Sequence, residues 1–263
     1  MNNSTLTHEI ILPSRGYLNP EIPEGKVVQR CMMVYDQKYL AGSSSADGGL
    51  QRLLQETTVS PEKLDVNKLS IPDTMYMLFS LRILSYGNDF KFSTRCPACG
   101  KKLDVTVDLS ALEVYDLAED YEENLIVVLP RCKDKVHTRV LTNADYQSVA
   151  TEFEKMRSKS NDTDGYDYIL RLCKLITKVE LKEPDADGEK VLTDPVDIRK
   201  YVEKMTDYDA TAILSTVDSI SYGISDVTEY TCYHCNRIVE IPLQFDPSFF
   251  RPKYDIPSKR SRR

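Results

Sequence analysis

The chain contains no tryptophan, only three histidines in 263 residues, and no long apolar run. Its densest apolar stretch, Leu125-Ile126-Val127-Val128-Leu129, falls far short of the roughly 20 residues a membrane helix requires. No apolar leader follows Met1, so the expectation is a soluble, unsecreted chain. Positive charge is also scarce: 34 Lys and Arg face 41 Asp and Glu, a net −7 with a pI near 5.2. Binding that neutralises many phosphates needs a clustered excess of Lys and Arg. Only the tail Lys259-Arg260-Ser261-Arg262-Arg263 has one, and it reads as a solvated end. There is no Walker loop, dinucleotide fingerprint or Gly-x-Ser-x-Gly elbow, so those nucleotide-binding and hydrolase classes have no support.

What the chain does have is seven cysteines: two Cys-x-x-Cys pairs, Cys96/Cys99 and Cys232/Cys235, and three singles, Cys31, Cys132 and Cys173. An odd count without a leader suits reduced thiols and metal ligands better than a disulfide framework. A two-residue spacer lets one tight turn present two sulfurs to an ion, and zinc takes four in a tetrahedron. The economical arrangement is one structural zinc held by Cys96, Cys99, Cys232 and Cys235. A redox pair would place its first cysteine at a helix N-terminus, which lowers the thiol pKa, whereas Gly100-Lys101-Lys102 leads into an alternating strand. A catalytic zinc leaves one position open, and the zinc deaminases add a His-x-Glu; neither knuckle has one. His234, inside the second spacer, reads as a solvent-facing residue rather than a ligand.

Hydrophobic periodicity predicts helices over Leu50–Thr57, from an Asp73 cap to Leu84, from Asn143 or Asp145 to about Arg157, over Tyr166–Val179, from Pro195 or Val196 to Met205, and over Ala210–Ile220 behind an Asp209 cap. Strands are expected at Val27–Val34, at Phe90 and Phe92, over Leu103, Val105, Val107 and Leu109, and over Val239, Ile241, Leu243 and Phe245. Leu125–Leu129 and Lys135–Leu141 read as an antiparallel hairpin, and Lys182–Lys190 as an acidic surface turn. Gly42–Gly49 reads as a flexible loop, and with Met1–Pro23 it is expected to order only on binding. Asp116, Glu119, Asp120, Glu122 and Glu123 read as a solvated linker face, because few apolar residues separate them to desolvate a carboxylate.

One element order occurs twice. Ser85-Tyr86-Gly87 returns as Ser221-Tyr222-Gly223, Cys96 as Cys232 and Leu103 as Val239, always 136 residues on (221 − 85, 232 − 96, 239 − 103). The pattern predicts an α+β fold of pseudo-duplicated helix plus zinc-ribbon β-hairpin units, residues 59–112 and 195–250. A central β-hairpin and helices (113–194) join them. An N-terminal arm, strand and short helix (1–58) come before, and the basic tail (251–263) after.

Leu12-Pro13-Ser14-Arg15-Gly16, the segment from Asp65-Val66 to Leu69, the run from Leu78 to Ser85-Tyr86-Gly87, and Cys96-Pro97-Ala98-Cys99-Gly100 leading to Val107-Asp108-Leu109-Ser110 follow one another in a specific order. In that order the chain resembles a family of tailed-phage proteins named for the baseplate hub assembly component of T4-like contractile tails. The resemblance covers residues 12 to 112 and again about 209 to 250. It implies a non-enzymatic structural or assembly protein of the baseplate or hub, with other hub or wedge proteins as partners and no small-molecule substrate. It also implies a place in the host cytoplasm during assembly and in the tail baseplate, with no catalytic residues to carry over. The alternative from the residues alone is a zinc-ribbon nucleic-acid adaptor. Lys91, Arg95, Lys101 and Lys102 around the first knuckle favour it, although the second knuckle has only Arg237 beside it.

Overall fold

β1 (Thr7–Ile11), in which only Ile10 is buried, pairs antiparallel with β2 (Lys26–Arg30). The computed structural model describes residues 6–41, 46–158, 165–184, 190–243 and 249–250. From residue 6 onward the N-terminal arm is part of the fold, contrary to the expectation that it orders only on binding. Leu12 and Ile22 are buried, and the Leu12 N–H bonds the Gly25 carbonyl at 2.8 Å. The loop between them turns at Gly16, with φ 81°, where a Cβ would lie 2.5 Å from the Ile22 oxygen; only glycine fits there.

β2 stops at Arg30, short of the expected Val34, because the Arg30 guanidinium forks onto Asp36 at 2.7 and 3.1 Å. Asp36 also takes the Met33 N–H at 2.7 Å, closing a 3-10 turn over Val34–Asp36. Burial works against this carboxylate, but the Arg30 and Met33 hydrogen bonds outweigh it and hold its pKa below the usual value. After α1 (Gln37–Ala41) comes α2 (Ala46–Thr57). Residues Gly42–Ser45 of the expected flexible loop lie outside the described residues, whereas Ala46–Gly49 form the first turn of α2. Leu53 and Leu54, both fully buried, dock this helix and offset a cost of about 1 kcal/mol for each helical glycine. α2 runs straight into β3 (Thr58–Ser60), completing a sheet of order β1-β2-β3.

The central helix α3 (Ile71–Tyr86) begins before the expected Asp73, because Ser70 is its cap. Ser70 Oγ accepts the Asp73 N–H at 3.3 Å and donates to Asp73 Oδ2 at 3.0 Å, so the cap and the third helical residue hold each other. Asp73 Oδ1 accepts the Ser14 N–H at 3.0 Å, tying the helix to the loop after β1. Gly87, with φ 84°, stops the helix as its sequence position predicts. A hairpin of two seven-residue strands follows, β4 (Asp89–Arg95) on β5 (Lys102–Asp108), with Phe90, Leu103, Val105 and Val107 facing inward.

Between β6 (Val114–Tyr115) and the end of α4 (Tyr121–Asn124), Asp116, Glu119, Asp120, Glu122 and Glu123 are all exposed, the solvated face expected of them. Asp116 pairs with Arg15 at 2.5 Å, and Glu119 accepts from the Tyr17 hydroxyl at 3.4 Å. Leu117, Tyr121 and Leu125 are buried together, so apolar residues do anchor the segment.

β7 (Ile126–Val128) and β8 (Lys135–Thr138) form the expected hairpin, and α5 (Asn143–Arg157) and α6 (Tyr166–Leu175) follow. α6 does not reach Val179: Ile176–Glu180 is β9, paired with β8 and with β10 (Val191–Leu192). Ile176 and Val179 are both buried in the sheet, and β-branched side chains favour that pleated surface over another helical turn. Of the expected acidic turn, residues 185–189 lie outside the described residues. α7 (Pro195–Lys204) and α8 (Asp207–Asp218) come next, α8 capped by Thr206 rather than by Asp209. β11 (Gly223–Ile224) pairs with β6, and β12 (Val227–Thr231) with β13 (Ile238–Pro242) makes the second knuckle hairpin. Phe245 and the basic tail 251–263 lie outside the described residues.

The result is an α+β fold of small antiparallel sheets and helices. One core gathers β1, β2, α2, α3 and both knuckle hairpins; another gathers the sheet around β8 with α6, α7 and α8. The second hairpin therefore leaves its own leading helix and packs with α3. No helix among the described residues is long and apolar enough to cross a membrane.

The entry to α5 offers a test by pH. Arg139 grips Asp145 with two bonds of 2.7 Å, and the Thr142 N–H adds one of 2.9 Å. Burial raises the Asp145 pKa, but the Arg139 and Thr142 bonds win and bring it down to about 2. A folded pKa below the unfolded value near 3.9 gives stability that is complete above that value and lost as pH falls toward about 2. Urea melts should show Asp145→Asn costing about 1–2 kcal/mol near pH 6. The gap from wild type should shrink steadily toward about pH 2; a gap independent of pH overturns this account.

Candidate metal centre

Each knuckle is built by the same local backbone. In the first, the Cys96 N–H bonds the Lys101 carbonyl at 2.9 Å and the Gly100 N–H bonds the Cys96 carbonyl at 2.8 Å. In the second, Cys232 bonds Arg237 at 2.9 Å and Asn236 bonds Cys232 at 2.8 Å. The turn needs a left-handed residue after the second cysteine, supplied by Gly100 (φ 72°) and Asn236 (φ 55°), two residue types that tolerate it. Flanking strands hold the turns, and neither pair opens a helix, so no helix N-terminus of the kind that lowers a redox thiol's pKa lies against either pair.

The two turns meet. The sulfurs of Cys96, Cys99, Cys232 and Cys235 all lie within 4.8 Å of one another, with Cys96 to Cys235 at 4.0 Å and Cys99 to Cys232 at 3.8 Å. A tetrahedral ion with metal–sulfur bonds of about 2.3 Å separates its sulfurs by about 3.8 Å. These distances are far beyond a disulfide bond of about 2.05 Å, and all four cysteines are free. The donors are thus near enough to share one metal ion, and a four-sulfur set selects a soft or borderline cation. Cys96 and Cys232 are buried, Cys235 is half-buried and Cys99 is exposed, so the site is dry on one side and open on the other.

Packing four thiols together sets their protons against one another. At Cys232 burial disfavours the thiolate, yet the backbone N–H groups of His234 and Cys235, with the neighbouring thiols, bring its pKa down to about 6. At Cys99 the Lys101 N–H favours the thiolate, but burial and the thiols of Cys96, Cys232 and Cys235 push it up to about 11. Cys232 gives up its proton early and Cys99 late. A divalent cation removes this conflict, because its charge lets all four sulfurs ionise.

His234 does not join the sulfurs. Exposed as expected, its Nε2 donates to the Lys102 carbonyl at 3.2 Å. The Tyr233 hydroxyl donates to the same carbonyl at 3.3 Å and accepts the Asp104 N–H at 3.4 Å. These bonds lace the second knuckle to the first hairpin. No sequence pattern announced them; their one trace is that both residues fill the second spacer. Among the described residues the four cysteines are the one group of three or more His, Cys, Asp or Glu close enough to share a cation, and residues 116–123 form no such group.

Comparison with known proteins agrees with the order of motifs noted in the sequence. A family model described as T4 bacteriophage base plate protein matches residues 16–251. No curated protein and no solved structure matches the chain.

Proposed function

This chain belongs to the T4 bacteriophage base plate protein family, and we propose that it is a non-enzymatic structural or assembly protein of a contractile tail baseplate or hub. The family match across residues 16–251 carries this reading. We further propose that Cys96, Cys99, Cys232 and Cys235 hold one structural zinc, with all four positions filled by protein and none left for a substrate. Its partners are other hub or wedge proteins, met in the host cytoplasm during assembly and retained in the virion tail. Exposed apolar side chains suit such contacts, notably Val34 and Tyr35, 92% and 72% exposed on a turn fixed by Asp36. A preorganised apolar contact loses little entropy on binding.

The nucleic-acid adaptor gains little from the geometry, since Lys102 beside the first knuckle is engaged by Asp104 at 3.4 Å. Purified chain should associate with at least one hub or wedge protein of the same phage and show no salt-sensitive affinity for DNA or RNA. No association at concentrations where those proteins bind each other would remove the proposal, and steep salt-dependent nucleic-acid binding would replace it.

A further inference from the structure

The recurrence at 136 residues extends well beyond the knuckles. Thr206 caps α8 as Ser70 caps α3, and Asp209 follows as Asp73 does (206 − 70 and 209 − 73 are both 136). Thr206 Oγ1 donates to Asp209 Oδ2 at 2.9 Å, as Ser70 Oγ donates to Asp73 Oδ2 at 3.0 Å. Serine and threonine caps are common, so this alone decides little. The other carboxylate oxygen is more telling. Asp209 Oδ1 accepts the Arg131 N–H at 2.8 Å, and Asp73 Oδ1 accepts the Ser14 N–H at 3.0 Å.

Those two donors occupy matching places. Ser14 follows β1 and Leu12-Pro13; Arg131 follows β7 and Leu129-Pro130 (131 − 14 and 129 − 12 are both 117). Leu12 and Leu129 are both fully buried, and each closes its loop by donating its N–H to a carbonyl just before the next strand, Gly25 at 2.8 Å and Asp134 at 2.9 Å. Just before that carbonyl residue each loop has a left-handed residue other than glycine, Glu24 (φ 56°) and Lys133 (φ 66°), while Arg15 (φ 53°) in the first loop has no counterpart. β2 and β8 pair next, a helix then runs without a break into the third strand (α2 into β3, α6 into β9), and the strand orders β1-β2-β3 and β7-β8-β9 agree. The second and third strands are irregular in both sheets, at Val28/Gln29 and at His137/Thr138. The offset falls from 117 to 109 across the loop after the first strand (134 − 25), which is eight residues shorter in the second half, and rises to 136 where the second half carries α5 and, between β9 and Thr206, β10 and α7.

We infer that the chain is two copies of one larger unit of strand, loop, strand, helix, strand, capped helix and knuckle. Asp73 and Asp209 are its matching positioning residues, each locking its unit's sheet to the helix that leads to its cysteines. The contact through the four cysteines is then an interface between like units, and the partner that the first unit's knuckle fits is the second copy in the same chain. The repeat and its two carboxylates stand on geometry alone, whatever metal the cysteines hold and whatever the protein binds.

Residue-resolved amide exchange on the full chain tests it. Asp209→Ala should speed exchange of the Arg131 amide about tenfold or more, with its β7–β8 neighbours, and leave the Ser14 amide at its wild-type rate. Asp73→Ala should do the reverse, freeing Ser14 and sparing Arg131. Should either alanine variant fail to fold, Asp73→Asn and Asp209→Asn serve. A neutral acceptor weakens a charge-assisted bond, so each should give a smaller acceleration, alike in size, at its own partner amide. Exchange that responds at one site but not at the other, or that crosses between units, overturns the equivalence.

Discussion

Native mass spectrometry of the full chain should find one zinc per molecule, and Cys96→Ser and Cys232→Ser should each abolish it. These two sulfurs are the buried members of the set, 1% and 0% exposed, so neither can be replaced by water without wetting the first core. Structural zinc contributes about 10–16 kcal/mol of apparent binding energy in zinc-finger peptides, where it is the whole driving force for folding. Here a core of aliphatic and aromatic side chains remains without it, so each substitution should cost less, about 3–5 kcal/mol in a urea melt. A chelator should reproduce the loss in wild type and do nothing further to the variants. Because the sulfurs bind as thiolates, affinity should fall as pH drops, and metal uptake should release protons. Cys99, its thiol pushed up to about 11, supplies one of them at neutral pH. Zinc retained in both single variants, or absent from wild type, sinks the shared site.

The other large effect lies in the aromatic centre of the same core. Phe79 on α3 is fully buried and meets the Phe249 ring edge-on, 5.4 Å between centroids at 74°. Phe249 in turn meets Phe90 of β4 at 5.0 Å and 72°. Phe249 thus brings a distant part of the chain onto two rings of neighbouring elements in one packing geometry, with an aromatic bonus of about 0.5–1.5 kcal/mol per pair beyond area burial. Phe79→Ala should cost about 3–5 kcal/mol, measured as a shift in urea midpoint with unchanged slope. Tyr208→Ala, at a position 62% exposed on α8, should stay within about 0.5 kcal/mol of wild type. A Phe79→Ala cost below about 1 kcal/mol would mean that the core collapses around the gap instead of holding its shape.

The cysteines were legible in the sequence because a two-residue spacer is a local signal, and the matched offset of 136 brought two local signals to one place. The knuckle hairpins were legible for a related reason, since Leu103, Val105 and Val107 alternate as a half-buried strand must. What escaped depended on long-range partners. Asp73 and Asp209 look like caps from the residues around them, but Ser70 and Thr206 cap their helices, and the partners that their carboxylates hold, Ser14 and Arg131, lie far off in sequence. α6 looked longer because apolar spacing at Ile176 and Val179 satisfies a helix as well as a strand, and the adjacent β8 decides between them. The N-terminal arm looked unfoldable because its apolar residues are few, yet Leu12 and Ile22 are buried in a core built mostly by others.

The placement of the two half-sites has a consequence for synthesis on the ribosome. Cys99 and Cys232 are 133 residues apart, and at about 5–20 residues per second the first pair emerges roughly 7–27 s before the second. For that interval Cys96 and Cys99 are an open pair of thiols that cannot complete a tetrahedron. A product truncated anywhere before Cys232 cannot close the four-sulfur site and leaves β4 and β5 without the hairpin that covers them. A chain cut short before Cys235 should therefore be less stable than the full chain whether or not metal is supplied, because it lacks both a full set of donors and the second hairpin.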